Sequence, residues 1–345
     1  MKIGQELSDL AQELERQRVT KRDFIAPSKL VSMNVNGDIS LQIGDQGNFE
    51  IRETAHQQIA QRLGIPQKYY EKCLKEDTKL LSENVNAWLQ KDQDKRMVRT
   101  LDGQARAFLS SRYRPLDNFD LAEIVLPVLT ESGCRIESSA LTEKRFYIKA
   151  ITERINLEVS KGDVVQAGIV ISNSEIGLGS VKVEPLIFRL VCLNGMISQD
   201  SSLIKYHVGK DSESDLAELF FRDETRKADD RAFWMKVKDV VRGSFRQDVF
   251  SVIVDKMRLA SARVIEADVV DVVESIKDKF ILSDQERGGV LSYLIKGGDL
   301  TQYGLVNAVT RASQDVEDYD RATELERIGG SVLELTKQEW EQITN

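Results

Sequence analysis

The sequence predicts an α+β protein with a central, mostly antiparallel sheet, covering helices and a helical C-terminal third. Three observations carry this reading. Short β-branched and aromatic runs crowd residues 96–208, apolar residues recur at helical spacing at both ends, and turn residues thin out after about residue 214. The segments that follow are a mixed α/β part over 1–92, a β-rich domain over 93–210 and a helical region over 211–345.

Taking the elements in order, Leu7, Leu10, Ala11 and Leu14 share one helical face, so residues 6–18 form an amphipathic helix. A meander over 29–34, 38–43 and 49–52 is turned by Asn36-Gly37 and by Gly44 and Gly47. Helices resume at 54–63, 66–74 and 78–89, with Pro66 suited to a first helical position. Strands are expected at 97–101, 105–110, 135–140, 145–151, 164–171, 181–192 and 203–208. One helix interrupts them. It starts after Asp117 or Asn118, either a good N-cap, and buries Leu121, Ile124, Val125 and Val128. Beyond residue 214, Phe220, Phe221, Phe233, Trp234, Val237, Val240, Val241 and Phe245 repeat at helical spacing. The pairs Gly288-Gly289, Gly297-Gly298 and Gly329-Gly330 are expected to divide this region into several helices. Whether those helices form a domain of their own or cover the sheet is open at this point.

Composition narrows the function classes. The chain has 345 residues, 41% hydrophobic, and a net charge of −8. That charge is uneven. Residues 93–210 carry 16 basic against 14 acidic groups, net +2, whereas 211–345 carry 19 against 28, net −9. A phosphate backbone would therefore meet the middle segment. No run approaches the roughly 18 apolar residues of a membrane helix, and the charged opening MKIGQELSDLAQELERQR lacks the apolar centre of a signal peptide. A cytoplasmic protein with no membrane partner is expected. Cys73, Cys134 and Cys192 are too scattered for a disulfide framework or a zinc site and read as reduced, buried thiols.

No phosphate-binding loop of the GxxxxGK type occurs. Gly177 and Gly179 in IGLGS lack the third glycine of a dinucleotide loop, so they read as a turn or bulge. The two histidines, His56 and His207, lie in no metal-ligand or Cys-His pattern, and His56 reads as a structural residue in the first turn of a helix. Neither a cofactor nor a bound metal is expected, and no catalytic residue is singled out.

The most informative stretch is KRMVRTLDGQARAFLSSRYRPLDN, residues 95–118. If 105–114 is extended, Arg106, Phe108, Ser110, Arg112 and Arg114 share a face, with Arg96 and Arg99 nearby and Tyr113 opposite. Guanidinium groups beside a ring are what sequence-tolerant binding of single strands needs. The competing reading is a sheet face whose arginines pair with Asp and Glu. A second constellation is Asn173, Ser174 and Glu175, read as a polar tip between strands, followed by the turn signal Asn194-Gly195. Structural turns are the default there, and a ligand rim is the alternative.

RAFLSSRYRPLDN, NSEIGLGS and RLVCLNGMI resemble a family of plasmid- and prophage-encoded proteins known only as a domain of unknown function. AHQQIAQRLGIP and VNAVTRASQDVEDYDRATELERIGG extend the resemblance over most of the chain. It implies a mobile-element context and supplies no catalytic residues. The leading expectation is a DNA-binding protein, with single-stranded DNA favoured, accessory to recombination or replication. It acts through Arg96, Arg99, Arg106, Phe108, Arg112, Tyr113 and Arg114, with assembly into homo-oligomers as a further expectation. One alternative is an anti-defence factor that binds a host protein or mimics DNA through an acidic cluster of Asp315, Glu317, Asp318 and Asp320. Another is a nucleic-acid hydrolase that uses Glu175.

Overall fold

A computed structural model describes residues 1–198 and 223–344. The strand expected at 203–208, with His207, and the positions Phe220 and Phe221 lie outside the described residues. The chain divides into two compact units, one of residues 11–119 with 174–179, the other of residues 1–10, 120–173 and 180–345. Helix α1 (Leu7–Thr20) crosses that division.

The first unit is built on a six-stranded sheet. Its strands are β1 (Arg22–Pro27), β2 (Val31–Asn36), β3 (Asp38–Ile43), β4 (Asn48–Ile51), β5 (Lys95–Leu101) and β6 (Gln104–Ser110), in the order β1-β5-β6-β4-β3-β2. Every pairing is antiparallel except β4 with β6. The expected boundary at residue 92 therefore cuts through a sheet, because β5 and β6 sit between β1 and β4. Strand β1 was not expected; its Arg22, Asp23 and Lys21 neighbours mask the apolar signal of an edge strand. Helices α2 (Glu53–Arg62), α3 (Gln67–Glu76) and α4 (Thr78–Lys91) supply Ala55, Ile59, Tyr70, Leu81, Val85 and Leu89 to a core shared with Met33, Leu41, Val98 and Phe108. Asp77 caps α4 by accepting from the Leu80 amide. His56 is buried in this core at 2.7 Å from the Tyr70 hydroxyl, and burial lowers its pKa to about 4.

The second unit carries a five-stranded antiparallel sheet in the order β11-β10-β9-β8-β7. Helix α5 (Asn118–Glu131) begins where the N-cap signal placed it, and β7 (Cys134–Leu141), β8 (Phe146–Glu158), β9 (Val164–Asn173), β10 (Lys182–Arg189) and β11 (Asn194–Ile197) follow. The strand expected over 181–192 stops at Arg189. The chain turns over residues 190–193, with Leu193 at φ 52°, and Asn194-Gly195 opens β11 instead of forming the turn. Among the described residues seven helices follow in this unit, α6 (Asp223–Gly243), α7 (Gln247–Ser261), α8 (Val269–Phe280), α9 (Asp284–Gly297), α10 (Gln302–Ala312), α11 (Tyr319–Leu333) and α12 (Lys337–Thr344). They are not a separate domain. Phe250, Ile253, Val272, Val290, Leu305 and Leu325 share one core with Val165, Ala167 and Ile187 of the sheet. Leu186 and Phe188, pointing the other way as the pleat requires, join a second cluster with Tyr147 and Val170.

Of the three glycine pairs, only Gly297-Gly298 ends a helix, with Gly298 at φ 66°. Gly288-Gly289 and Gly329-Gly330 lie inside α9 and α11. At Gly329 the reason is close approach, since a Cβ there would stand 2.3 Å from Thr310 Cγ2 on α10. Among the described residues, no helix is long and apolar enough to cross a membrane.

Candidate functional site

The expected basic face fails at a β-bulge. Thr100 pairs with Ala105 and Arg99 with Ala107, which leaves Arg106 as the extra residue on β6. A bulge shifts the two-residue alternation by one, so Phe108 shares a core with Ala105, while Ala107 and Leu109 pack with Ile176 in another. Because β6 is a central strand, both of its faces are covered, and Phe108 is fully buried. It offers no ring to a base. The strand also ends at Ser110, so Arg112 and Arg114 belong to the following 111–117 segment, Arg112 exposed and Arg114 half-buried.

The remaining arginines are buried against carboxylates. Arg96 meets Asp92 at 2.6 Å. Arg99, 0% exposed, contacts Asp23 at 2.8 Å and Asp117 at 2.8 Å, and donates to the Glu175 carbonyl at 2.7 Å. Arg106 meets Glu175 at 2.5 Å, and Lys21 lies 2.7 Å from Asp117 and 3.4 Å from Glu175. Burial alone would raise the Asp117 pKa, but Arg99 and Lys21 more than offset it and hold the carboxyl below its usual range. Within this cluster three cations thus face three carboxylates, and their charges balance. Glu175 accepts from the Asn118 amide as well, so its oxygens are committed to holding residues 174–179 in place. Tyr113 donates to the Ser174 carbonyl at 3.2 Å.

The polar tip is likewise interior. Asn173, Ser174, Glu175 and Asn194 are all buried, so they form no ligand rim. Asn194 Nδ2 donates to Thr310 Oγ1 at 2.6 Å. Of the cysteines, all free, Cys73 is buried as expected, whereas Cys134 is half-buried and Cys192 exposed. The acidic cluster is partly spent on the fold. Asp318 caps α11, Asp320 accepts from the Tyr147 hydroxyl at 2.8 Å, and Asp315 accepts from Tyr293 at 2.5 Å.

Accessible cations gather elsewhere, in a cleft of about 350 Å³ in the second unit. Arg189 enters from the end of β10, Tyr293 and Lys296 from α9, and Arg311 from α10. Arg189 is fixed by a two-point contact with Asp163, at 2.6 and 3.0 Å, and its third nitrogen reaches Cys192 Sγ at 3.3 Å. Arg311 stands over the Tyr293 ring at 4.8 Å and Lys296 at 5.9 Å. The carboxylate nearest Arg311 is Asp315 at 3.8 Å, and side chains of Arg311 and Asp315 are 35% and 56% exposed. Such a contact is worth little in water. The cleft's single acid, Asp299, accepts from the Thr301 hydroxyl at 2.7 Å.

Sequence reasoning missed these residues because they come from stretches about a hundred positions apart and because the −9 average over 211–345 conceals Lys296 and Arg311. The one available signal was that RLVCLNGMI and VNAVTRASQD supply Arg189, Cys192 and Arg311.

A family model described as Domain of unknown function (DUF932) matches residues 106–327. Comparison with curated proteins gave no match, and neither did comparison with solved structures.

Proposed function

The chain belongs to the DUF932 family, and from that starting point we propose that it binds a nucleic-acid strand, single-stranded DNA first among them, through the cleft of Arg189, Lys296 and Arg311. The observation that carries this is the cleft itself, whose lining brings together Arg189, Lys296 and Arg311, the last two over the Tyr293 ring, with Asp299 as its one acid. Lys296 has no carboxylate within ion-pair distance among the described residues, and Arg311 has only a distant one. Cations that are not neutralised at home gain most by releasing a strand's condensed counterions. The volume is at the small end for ligand sites, which run from about 300 to 1,000 Å³, and suits one flexible backbone better than a duplex. Resemblance to phage and plasmid proteins supports a place in recombination or replication.

The test is a titration of labelled single- and double-stranded DNA at two salt concentrations. Replacing Lys296 and Arg311 by alanine together should weaken binding of the single strand and lower the salt slope by about two units, one for each lost phosphate contact. An unchanged slope in a folded double variant removes the site.

A further inference from the structure

We infer that this cleft reads the phosphates of a strand and leaves its bases unread, an inference that rests on the function proposed above. The Tyr293 ring is engaged. Arg311 and Lys296 stand over it, and its hydroxyl is bonded to Asp315. A ring that already holds two cations positions charge and is poorly placed to stack a base.

The cleft's hydrogen-bonding groups point the same way. Asp299, which would accept from a base edge, is bonded to Thr301. Asn307 is within reach of the Tyr303 hydroxyl. Cationic donors outnumber these two groups in the lining. The Arg311 guanidinium makes no hydrogen bond among the described residues and meets Asp315 only at 3.8 Å, so its planar fork can turn to two oxygens of one phosphate. Arg189 is held rigid by Asp163, and only its Sγ contact, a weak one, occupies the nitrogen that faces Cys192. An arginine can also read a guanine edge, but a neutral base would leave two neighbouring cations uncompensated. Successive diesters of a strand each bring one negative charge.

The probes are an oligonucleotide of mixed sequence and an abasic oligonucleotide of equal length and equal phosphate number, titrated against the full chain and against Arg311→Ala. The expected result is affinity for the two probes within about twofold and an equal loss for both on Arg311→Ala. Tyr293→Leu, which removes the ring beneath Arg311 and Lys296, should weaken both probes alike. A tenfold or greater preference for the probe with bases, with Arg311→Ala still harmful, overturns the inference while the site stands. If Arg311→Ala changes neither affinity, or neither probe binds, the proposed function fails and this inference falls with it.

Discussion

Replacing Lys149 by methionine should be among the most damaging single changes in the second unit. Lys149 Nζ lies 2.6 Å from Glu326 Oε2, and both side chains are 0% exposed. The ammonium stands 4.7 Å from the centre of the Tyr319 ring, whose hydroxyl is 2.6 Å from Ser138 Oγ. Burial pushes the Lys149 pKa below its usual range, and the Glu326 carboxylate opposes that shift. Methionine keeps the volume and removes the charge, leaving a carboxylate in the core, one oxygen of which already lacks a partner. Stranding a buried charge costs about 3–5 kcal/mol. The lost ring contact adds about 1 kcal/mol. Against a typical stability of roughly 5–15 kcal/mol this is a large fraction of the whole. Urea unfolding followed by circular dichroism measures it. Lys149→Met with Glu326→Met should recover most of the loss, because two apolar side chains of similar volume remove both desolvation costs. A single variant that loses less than about 1 kcal/mol, or a double variant as unstable as the single, refutes the view that an unpaired charge sets the penalty.

Two further outcomes follow from the packing. His56 should make the first unit acid-sensitive: its folded pKa, about 4, lies below the ordinary value of 6.5, so the neutral ring's contribution is complete above pH 6.5 and is lost as pH falls toward 4. The span corresponds to about 3 kcal/mol, and His56→Gln should flatten stability against pH in that window by thermal melts. Gly329→Ala should destabilise by about 1–3 kcal/mol despite alanine's helix propensity, because the new methyl meets Thr310 Cγ2 at 2.3 Å. Thr310→Ser, which deletes that methyl and keeps the hydroxyl bonded to Asn194, should rescue it; a Gly329→Ala protein as stable as the parent contradicts the close approach.

Much of the architecture was legible because periodicity reports burial. Leu121, Val125 and Val128 of α5 are buried as their spacing requires, and the α+β class with a helical C-terminal third follows from such runs. What escaped were features without a periodic signature. The bulge at Arg106 adds one residue to β6 with no residue type that marks it, and only the register opposite Arg99 and Thr100 discloses it. Gly329 carries the same letter as a helix stop, and its role depends on Thr310 of the neighbouring helix. Strand membership across residue 92 depends on pairing between β1 and β5, some seventy positions apart.

The arginines make the more general point. A count of Lys and Arg marks 95–114 as the basic part of this chain, and the count is correct, yet a guanidinium attracts phosphate only in proportion to the charge its neighbours leave unmatched. Arg99 and Arg106 sit in a strand pair covered on both faces, where an unpaired charge is too costly, so the fold brings Asp23, Asp117 and Glu175 to meet them. Arg311 and Lys296 stand on helix surfaces open to water, where an aromatic ring and a distant carboxylate suffice. Burial selects for neutralised cations and exposure permits free ones, so in this protein the locally basic strand carries the structural charges and the globally acidic helices carry the available ones.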